Sequence, residues 1–249
     1  MYDPPAYVWA FTIAGPVAIA AATCIALYAG AVRARLGRNR AALLAGAAAV
    51  LFGGWFTATA VLAGEGWYRT LPWLPVAAAG FLGTLLALSL IPVVARALMA
   101  PGMASRLVLP HSFRVAGVFF LLYLALGHLP ALFALPAGLG DIAVGIAAPP
   151  VARRLTQGAG RRAALWFNVF SITDLITGLT LGALTGFHLL NVTPSSAPIA
   201  ELPLAVIPTF TVPLLFALSI TSMVTLARGS RRSPSAAGSL VSGAMPALP

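Results

Sequence analysis

The 249-residue sequence contains no lysine, a single cysteine and only five acidic residues. Without a lysine amine the chain cannot form a retinal Schiff base, which excludes a retinal protein. A single cysteine, Cys24, excludes an intramolecular disulfide. The sequence also lacks H-E-x-x-H, G-x-S-x-G, C-x-x-C and aspartate-rich prenyl-diphosphate motifs, so nothing in it favours an enzyme.

What the sequence does contain is mostly apolar, with 60% hydrophobic and 8% charged residues. The apolar residues form segments of about 20 residues, the length of helix that crosses a hydrocarbon core of about 30 Å. We therefore predict an all-α fold, an integral membrane bundle of seven transmembrane helices. The predicted membrane domain covers residues 1–228, and its spans lie at about 8–30, 41–62, 74–95, 115–129, 134–150, 163–184 and 204–226.

The basic residues are all arginines, and their positions predict an orientation. Fourteen of the fifteen lie in the first, third and fifth loops or after the last span, and only Arg69 lies in a loop on the other side. By the positive-inside rule, the N-terminus is predicted outside and the C-terminus in the cytoplasm. Because the arginines are confined to short loops, the net charge of +10 does not indicate nucleic acid as a partner. The Ser-, Ala-, Gly- and Pro-rich residues 229–249 are predicted to be a disordered cytoplasmic tail.

Two aspartates lie inside predicted spans, Asp141 in the fifth and Asp174 in the sixth. Both are roughly 14–17 Å from the cytoplasmic surface at 1.5 Å per residue, close to the midplane. An ionisable group at that depth costs at least about 2.5 kcal/mol, so it indicates a functional site. We expect both side chains to face the bundle interior, within about 10 Å of each other. Small residues flank Asp141 at helical spacing and let another helix approach; they are Ala134, Gly138, Gly145 and Ala148.

Further polar residues on the sixth and seventh spans complete a predicted intramembrane polar centre: Asn168, Ser171, Thr177, Thr209 and Thr211. Pro208 and Pro213 flank Thr209 and Thr211, and each proline leaves an upstream carbonyl without its amide donor. We predict either a kink in which the threonines bond these carbonyls, or a free carbonyl that coordinates a cation or makes the helix a hinge. No basic residue is predicted at this depth, because Arg96, Arg106 and Arg114 are assigned to the third loop. The carboxyl groups would then favour the neutral form and share a proton, which suits proton relay or cation coupling. The alternative is that both are protonated and only hold helices together by hydrogen bonds.

The segment 115–150 is short for two spans, since its 36 residues must cross the bilayer twice. Either both helices are short or the turn near 129–136 is irregular, which is tolerated only where protein or a wet cavity covers it. His128 and His188 fall on the outer side and are weak candidates for metal ligands. No helical ligand spacing joins them, so we expect no metal site and no cofactor.

Three segments resemble a family of uncharacterised bacterial multi-pass membrane proteins. They are ALPAGLGD, WFNVFSITDL and IPTFTVP, within a resemblance that covers residues 114–218. The resemblance implies the membrane fold, a bacterial plasma (inner) membrane and the importance of these segments, and it implies no particular activity.

The sequence leaves three functions open. The first is a small-solute transporter or proton-coupled permease with the aspartate pair at its centre. The second is a structural or regulatory membrane subunit, and the third is a membrane enzyme or redox protein that uses the outer histidines. The expected partners are the lipid bilayer, a small solute or protons; an oligomer or a partner subunit is left open.

Overall fold

A computed structural model describes residues 6–231, and this part of the chain is helical without strands. A 3₁₀ segment, Leu109–Gly117, joins two short helices, and a π-helical segment, Ile207–Thr211, precedes the last helix. The α-helices are α1 (Ala6–Arg33), α2 (Arg38–Gly64), α3 (Trp73–Ser89), α4 (Pro92–Leu98), α5 (Met103–Val108), α6 (Val118–Ala125), α7 (Ala131–Thr156), α8 (Arg161–Gly186) and α9 (Val212–Arg231).

Six helical segments of the described chain are long and apolar enough to cross a membrane, and α3 with α4 makes a seventh if the bent pair counts as one span. The protein is therefore a membrane-embedded helical bundle. Large apolar side chains such as Leu43, Val50 and Ile146 are exposed on its outer surface, where lipid tails are the natural solvent.

The predicted third span, at 74–95, is not continuous. The structure ends α3 at Ser89 and starts α4 at Pro92 with a bend of 89° between them. Pro92 causes the break, because its ring disfavours helical backbone at the preceding residue, and Ile91 is extended (φ −60°, ψ 129°). Pro92 itself occupies the start of α4, where a missing amide donor costs nothing.

The predicted fourth span, at 115–129, begins too late. Helix α5, the 3₁₀ segment and α6 form one apolar stretch, Met103–Ala125, which we call the composite helix. The crowding between 115 and 150 is thereby relieved, because the span starts twelve residues earlier than predicted. The irregular turn is confined to 126–130, and the prediction for 131–136 is wrong because Pro136 lies inside α7.

The kink predicted at the seventh span is a π-helical turn at Ile207–Thr211. Pro213 has no amide hydrogen for the carbonyl of Thr209, four residues earlier. The indole Nε1–H of Trp55 donates to that carbonyl instead, at 3.0 Å from α2. The threonines do not perform this repair, since the Thr209 hydroxyl donates to the carbonyl of Ala205 at 2.6 Å.

The predicted tail, residues 229–249, lies outside the described residues except for its first three. Residues 229–231 are helical and belong to α9, which ends at Arg231. Residues 1–5 of the predicted membrane domain also lie outside the described part.

Candidate functional site

Arg114, on the composite helix, lies between the two intramembrane aspartates. Its Nε–H donates to Oδ1 of Asp141 at 2.6 Å, and its Nη2–H donates to Oδ2 of Asp174. A third donor, Nη1–H, reaches Oγ of Ser171 at 2.8 Å. Only 1% of the Arg114 side chain is exposed. A single guanidinium thus joins the composite helix, α7 and α8, using the fork of donors that distinguishes arginine from lysine.

The prediction that neither aspartate has a basic partner is wrong. It assigned Arg114 to a cytoplasmic loop, whereas the composite helix begins at Met103 and places Arg114 eleven residues inside it. That is roughly 19 Å along the helix, at about 1.5 Å per residue in α5 and about 2 Å per residue in the 3₁₀ segment, close to the depth predicted for Asp141 and Asp174. The three side chains, named here the charged cluster, hold one positive and two potentially negative groups.

Two glycines allow the aspartates to approach their neighbours. A Cβ atom on Gly140 would overlap the carboxyl group of Asp174, and one on Gly117 would overlap the side chain of Asp141. Backbone at these positions is therefore in direct contact with the charged cluster, which any larger residue would displace.

The small-residue face predicted around Asp141 packs against the composite helix. A Cβ atom on Gly145 would lie 2.6 Å from the backbone nitrogen of Val115, and one on Gly138 would lie 2.8 Å from Leu121. Ala134 and Ala148, at the two ends of this face, are fully buried. The face lets helix backbones approach closely and thus brings Asp141 to Arg114.

A layer of buried polar side chains lies behind the charged cluster. Oγ of Ser171 is 3.4 Å from Nδ1 of His111 and 3.4 Å from Oγ of Ser219, whose hydroxyl is also 3.4 Å from Nε2 of His111. All three are fully buried, and Phe167 packs edge-on against the imidazole at 5.5 Å. We call Ser171, His111 and Ser219 the polar layer; it lies nearer the start of α8 than Asp174 does.

The other predicted residues of the polar centre separate into different environments. Nδ2 of Asn168 donates to the carbonyl of Ala164 at 2.7 Å and to Oγ of Ser222 at 3.1 Å, one turn away from Ser171. The Thr177 hydroxyl donates to the carbonyl of Thr173 on its own helix and contacts no other helix through that bond.

Thr211 and Asn168 each contain a buried polar atom without a hydrogen-bond partner within the described residues. These atoms are the hydroxyl oxygen of Thr211, a residue that is 7% exposed, and Oδ1 of Asn168.

A cavity lies beside the charged cluster and continues along α8 towards its C-terminal end. With its open mouth it has about 930 Å³ of empty space. Its polar wall is the charged cluster and Thr211. The remaining lining is apolar and includes five phenylalanines: Phe113, Phe119, Phe120, Phe133 and Phe187.

The carboxyl groups, and not the guanidinium, form the accessible part of that polar wall. The side chains of Asp141 and Asp174 are 19% and 10% exposed, compared with 1% for Arg114. Oδ2 of Asp141 and Oδ1 of Asp174 are the two carboxyl oxygens that Arg114 does not engage.

The polar residues that were predicted to lie on the outer side form no metal-binding group. Within residues 6–231, no three His, Cys, Asp or Glu side chains are placed to hold a metal ion, and His128 and His188 belong to no such group. Glu201 pairs with Arg69 at 3.0 Å, and Glu65 accepts from Nε1 of Trp67 at 3.0 Å.

Sequence reasoning missed Arg114 and the polar layer residues His111 and Ser219 as parts of one site. A usable signal was the spacing of His111, Arg114 and Gly117, because residues three apart align on one face of a 3₁₀ helix. All three are buried on the 3₁₀ segment. The prediction that the fourth span begins at residue 115 left His111 and Arg114 outside the span, and this concealed the pattern.

Comparison with known proteins gives one match, which covers the charged cluster. No curated protein and no solved structure matches the chain. A family described as a domain of unknown function (DUF8737) matches residues 71–227, more than half of the sequence and all of the composite helix, α7 and α8. The chain belongs to this family, the DUF8737 domains of unknown function.

Proposed function

We propose that the protein is a small-solute transporter, a proton-coupled permease whose coupling site is the charged cluster. The observation that carries this proposal is the sharing of one arginine by two carboxyl groups at the edge of an intramembrane cavity. Solute sites of many transporters lie near the bilayer midplane, which is the depth predicted for these residues.

The charge balance of the cluster supports coupling. With both aspartates ionised, the cluster of Arg114, Asp141 and Asp174 has a net charge of −1. Uncompensated charge is costly in a medium of low dielectric constant, so a bound proton or cation stabilises the cluster. A proton and a cationic solute would compete for the same carboxyl groups, and such competition can couple the two fluxes.

The packing along α8 supports access from one side at a time. From Asp174 towards Phe187 the helix borders the cavity. In the other direction Ser171 and Asn168 are fully buried and hydrogen-bonded to neighbouring segments. The charged cluster thus lies at the boundary between an open half and a closed half.

The proposal includes the predicted location and orientation. We place the protein in the bacterial inner membrane, in contact with the lipid bilayer, with the N-terminus outside and the C-terminus in the cytoplasm. Removing Arg114 from the loops leaves thirteen arginines on the cytoplasmic side against Arg69 on the other, so the positive-inside argument is unchanged. A reporter fused after Arg162 should remain cytoplasmic.

The test is solute-driven proton movement in proteoliposomes that contain a pH-sensitive dye. A panel of cationic, neutral and anionic solutes is added outside, and at least one should change the internal pH. Asp174→Asn should abolish that change, because an amide keeps the shape of the side chain but cannot release a proton. Thr177→Val is the matched control, one turn further along α8, and should leave the flux unchanged. Retained proton flux in both Asp141→Asn and Asp174→Asn would refute proton coupling.

A second candidate is a structural or regulatory subunit without transport activity. The observation that favours it is that Arg114 bonds to both α7 and α8 and so fastens three segments together. A purely structural cluster would tolerate asparagine nearly as well as aspartate, so the same variants distinguish the two functions. The third hypothesis, an enzyme or redox protein using His128 and His188, gains no support from a structural observation.

A further inference from the structure

We propose that the cavity beside the charged cluster binds a hydrophobic organic cation, an alkyl- or arylammonium molecule with one positive centre. This inference rests on the proposed function, in that the cavity is taken as the solute site. It adds the chemical class of the solute, which neither the sequence nor the family match assigns.

The sign of the ligand's charge follows from which groups face the cavity. Arg114 also lines the cavity, but its donors are directed to Asp141, Asp174 and Ser171, and its side chain is 1% exposed. The carboxyl groups are the more accessible ones, with 19% of the Asp141 side chain and 10% of the Asp174 side chain exposed. An anion would meet these carboxyl groups in a medium of low dielectric constant, where like charges repel strongly.

The remaining lining indicates an organic rather than an inorganic cation. Five phenylalanines and many aliphatic side chains surround the cavity, and aromatic faces attract ammonium groups by cation–π interaction. A metal cation needs six or more oxygen ligands, as Ca²⁺ does, or retained water. The described residues offer no group of three His, Cys, Asp or Glu for a metal, so the apolar walls fit a carbon-rich molecule better.

Thr211 is an independent indication of a ligand. Its hydroxyl is buried and lacks a partner within the described residues, and Thr211 is one of the residues that line the cavity. A buried hydroxyl without a partner is destabilising unless something binds it. Among the residues that line the cavity, Thr211 thus supplies a third oxygen acceptor in addition to the two carboxyl groups.

Protons should compete with this ligand. The charged and titratable groups in the cavity wall are Asp141 on α7, Asp174 on α8 and Arg114 on the composite helix; the lining residues of α1, α3 and the last span carry none. His111, on the composite helix, is connected to the cluster by its 3.4 Å contact with Oγ of Ser171 and is not among the residues that line the cavity. Acidification therefore removes negative charge from the wall, and cation binding should weaken as the pH falls.

The test is equilibrium binding to the purified full chain in lipid nanodiscs, measured by calorimetry with three ligands. Benzyltrimethylammonium is the cation, neopentylbenzene replaces its nitrogen with carbon, and benzenesulfonate is the anion. At pH 8 the cation should bind at least about tenfold more tightly than its neutral isostere, a difference of about 1.4 kcal/mol. The anion should not bind, and the cation's affinity should fall at pH 5.

Variants of the cavity wall sharpen the test without relying on one substitution. Asp174→Asn should reduce cation affinity about tenfold or more and leave the neutral isostere unaffected. Phe133→Leu, which keeps an apolar side chain but removes the ring, should weaken binding of the cation and not binding of the isostere. Thr177→Val should change neither affinity.

The outcomes separate this inference from the proposed function. Equal binding of cation and isostere, preferential binding of the anion, or no binding of any of the three ligands overturns the inference. Selective binding of the cation supports it even if the proteoliposomes show no flux, a result that would instead overturn the transporter proposal. Flux of neutral or anionic solutes without cation binding would overturn the inference and keep the transporter.

Discussion

The molecule contains arginine–carboxylate pairs in two regions, and the surroundings of the pairs differ. Arg114 bonds to Asp141 and Asp174 inside the bundle, where its side chain is 1% exposed. Arg69 bonds to Glu201 at 3.0 Å in the loops at one end of the bundle, where the side chains are 47% and 34% exposed. The pairs have the same chemistry, so their differences can be ascribed to their environments.

Water compensates charge in one region and is largely replaced by protein in the other. If Glu201 is lost, Arg69 can turn to solvent, so the pair adds little free energy to folding. If Arg114 is lost, two carboxyl groups remain without the donors that compensate them, and removal of one partner from a buried pair costs several kcal/mol. The two regions therefore differ in the alternative that is available to each charge when its partner is removed.

The largest expected effect is that of Arg114→Met, which removes the guanidinium from the charged cluster and keeps an apolar chain of similar length. We expect the free energy of unfolding in mixed micelles to fall by about 3–5 kcal/mol, because both carboxyl groups lose their donors. The measurement is an SDS titration of the purified protein followed by circular dichroism.

The control for this prediction is the triple variant Arg114→Met, Asp141→Asn and Asp174→Asn. Replacing every member of a buried charged cluster leaves no uncompensated charge, so the triple variant should regain more than half of the lost free energy. A triple variant as unstable as the single variant would show that Arg114 contributes through packing rather than charge.

An intermediate effect is expected for Gly140→Ala. The added Cβ atom overlaps the carboxyl group of Asp174, so that side chain must leave its place beside Arg114. Overpacking of this kind costs about 1–3 kcal/mol. Gly53→Ala is the matched control, since Gly53 lies inside α2 with open space around its Cβ position, and it should be neutral or slightly stabilising. The readout is the same SDS titration, and equal effects of both substitutions would contradict the packing role assigned to Gly140.

Sequence periodicity and length predicted much of the membrane bundle, because apolar segments must match the bilayer. The sequence also identified Asp141 and Asp174 as candidate site residues, because a carboxyl group within an apolar segment is costly however the helices pack. The break at Pro92 was missed because an apolar segment containing proline can either kink or turn sharply, and packing decides which.

Arg114 was missed for a different reason. In a membrane protein, an arginine at the edge of an apolar segment resembles a topology signal, and thirteen others in this chain were assigned in that way. Only its partners show that Arg114 is different, and those partners are 27 and 60 residues away in sequence. A 3₁₀ segment also changes the repeat from 3.6 to 3 residues, so the face of His111, Arg114 and Gly117 does not follow the pattern of an α-helix.

The smallest effect is expected for Arg69→Gln, the counterpart of Arg114→Met at the exposed end of the comparison. The free energy of unfolding should change by no more than about 1 kcal/mol, because water replaces the glutamate for Arg69 and the arginine for Glu201. The double variant Arg69→Gln and Glu201→Gln measures the coupling between the two side chains, which should shrink further as salt is raised, since screening acts on exposed pairs. A coupling of several kcal/mol, insensitive to salt, would mean that these loops exclude water as the interior does. Solvent exposure would then fail to order the two regions by the free energy that their pairs contribute.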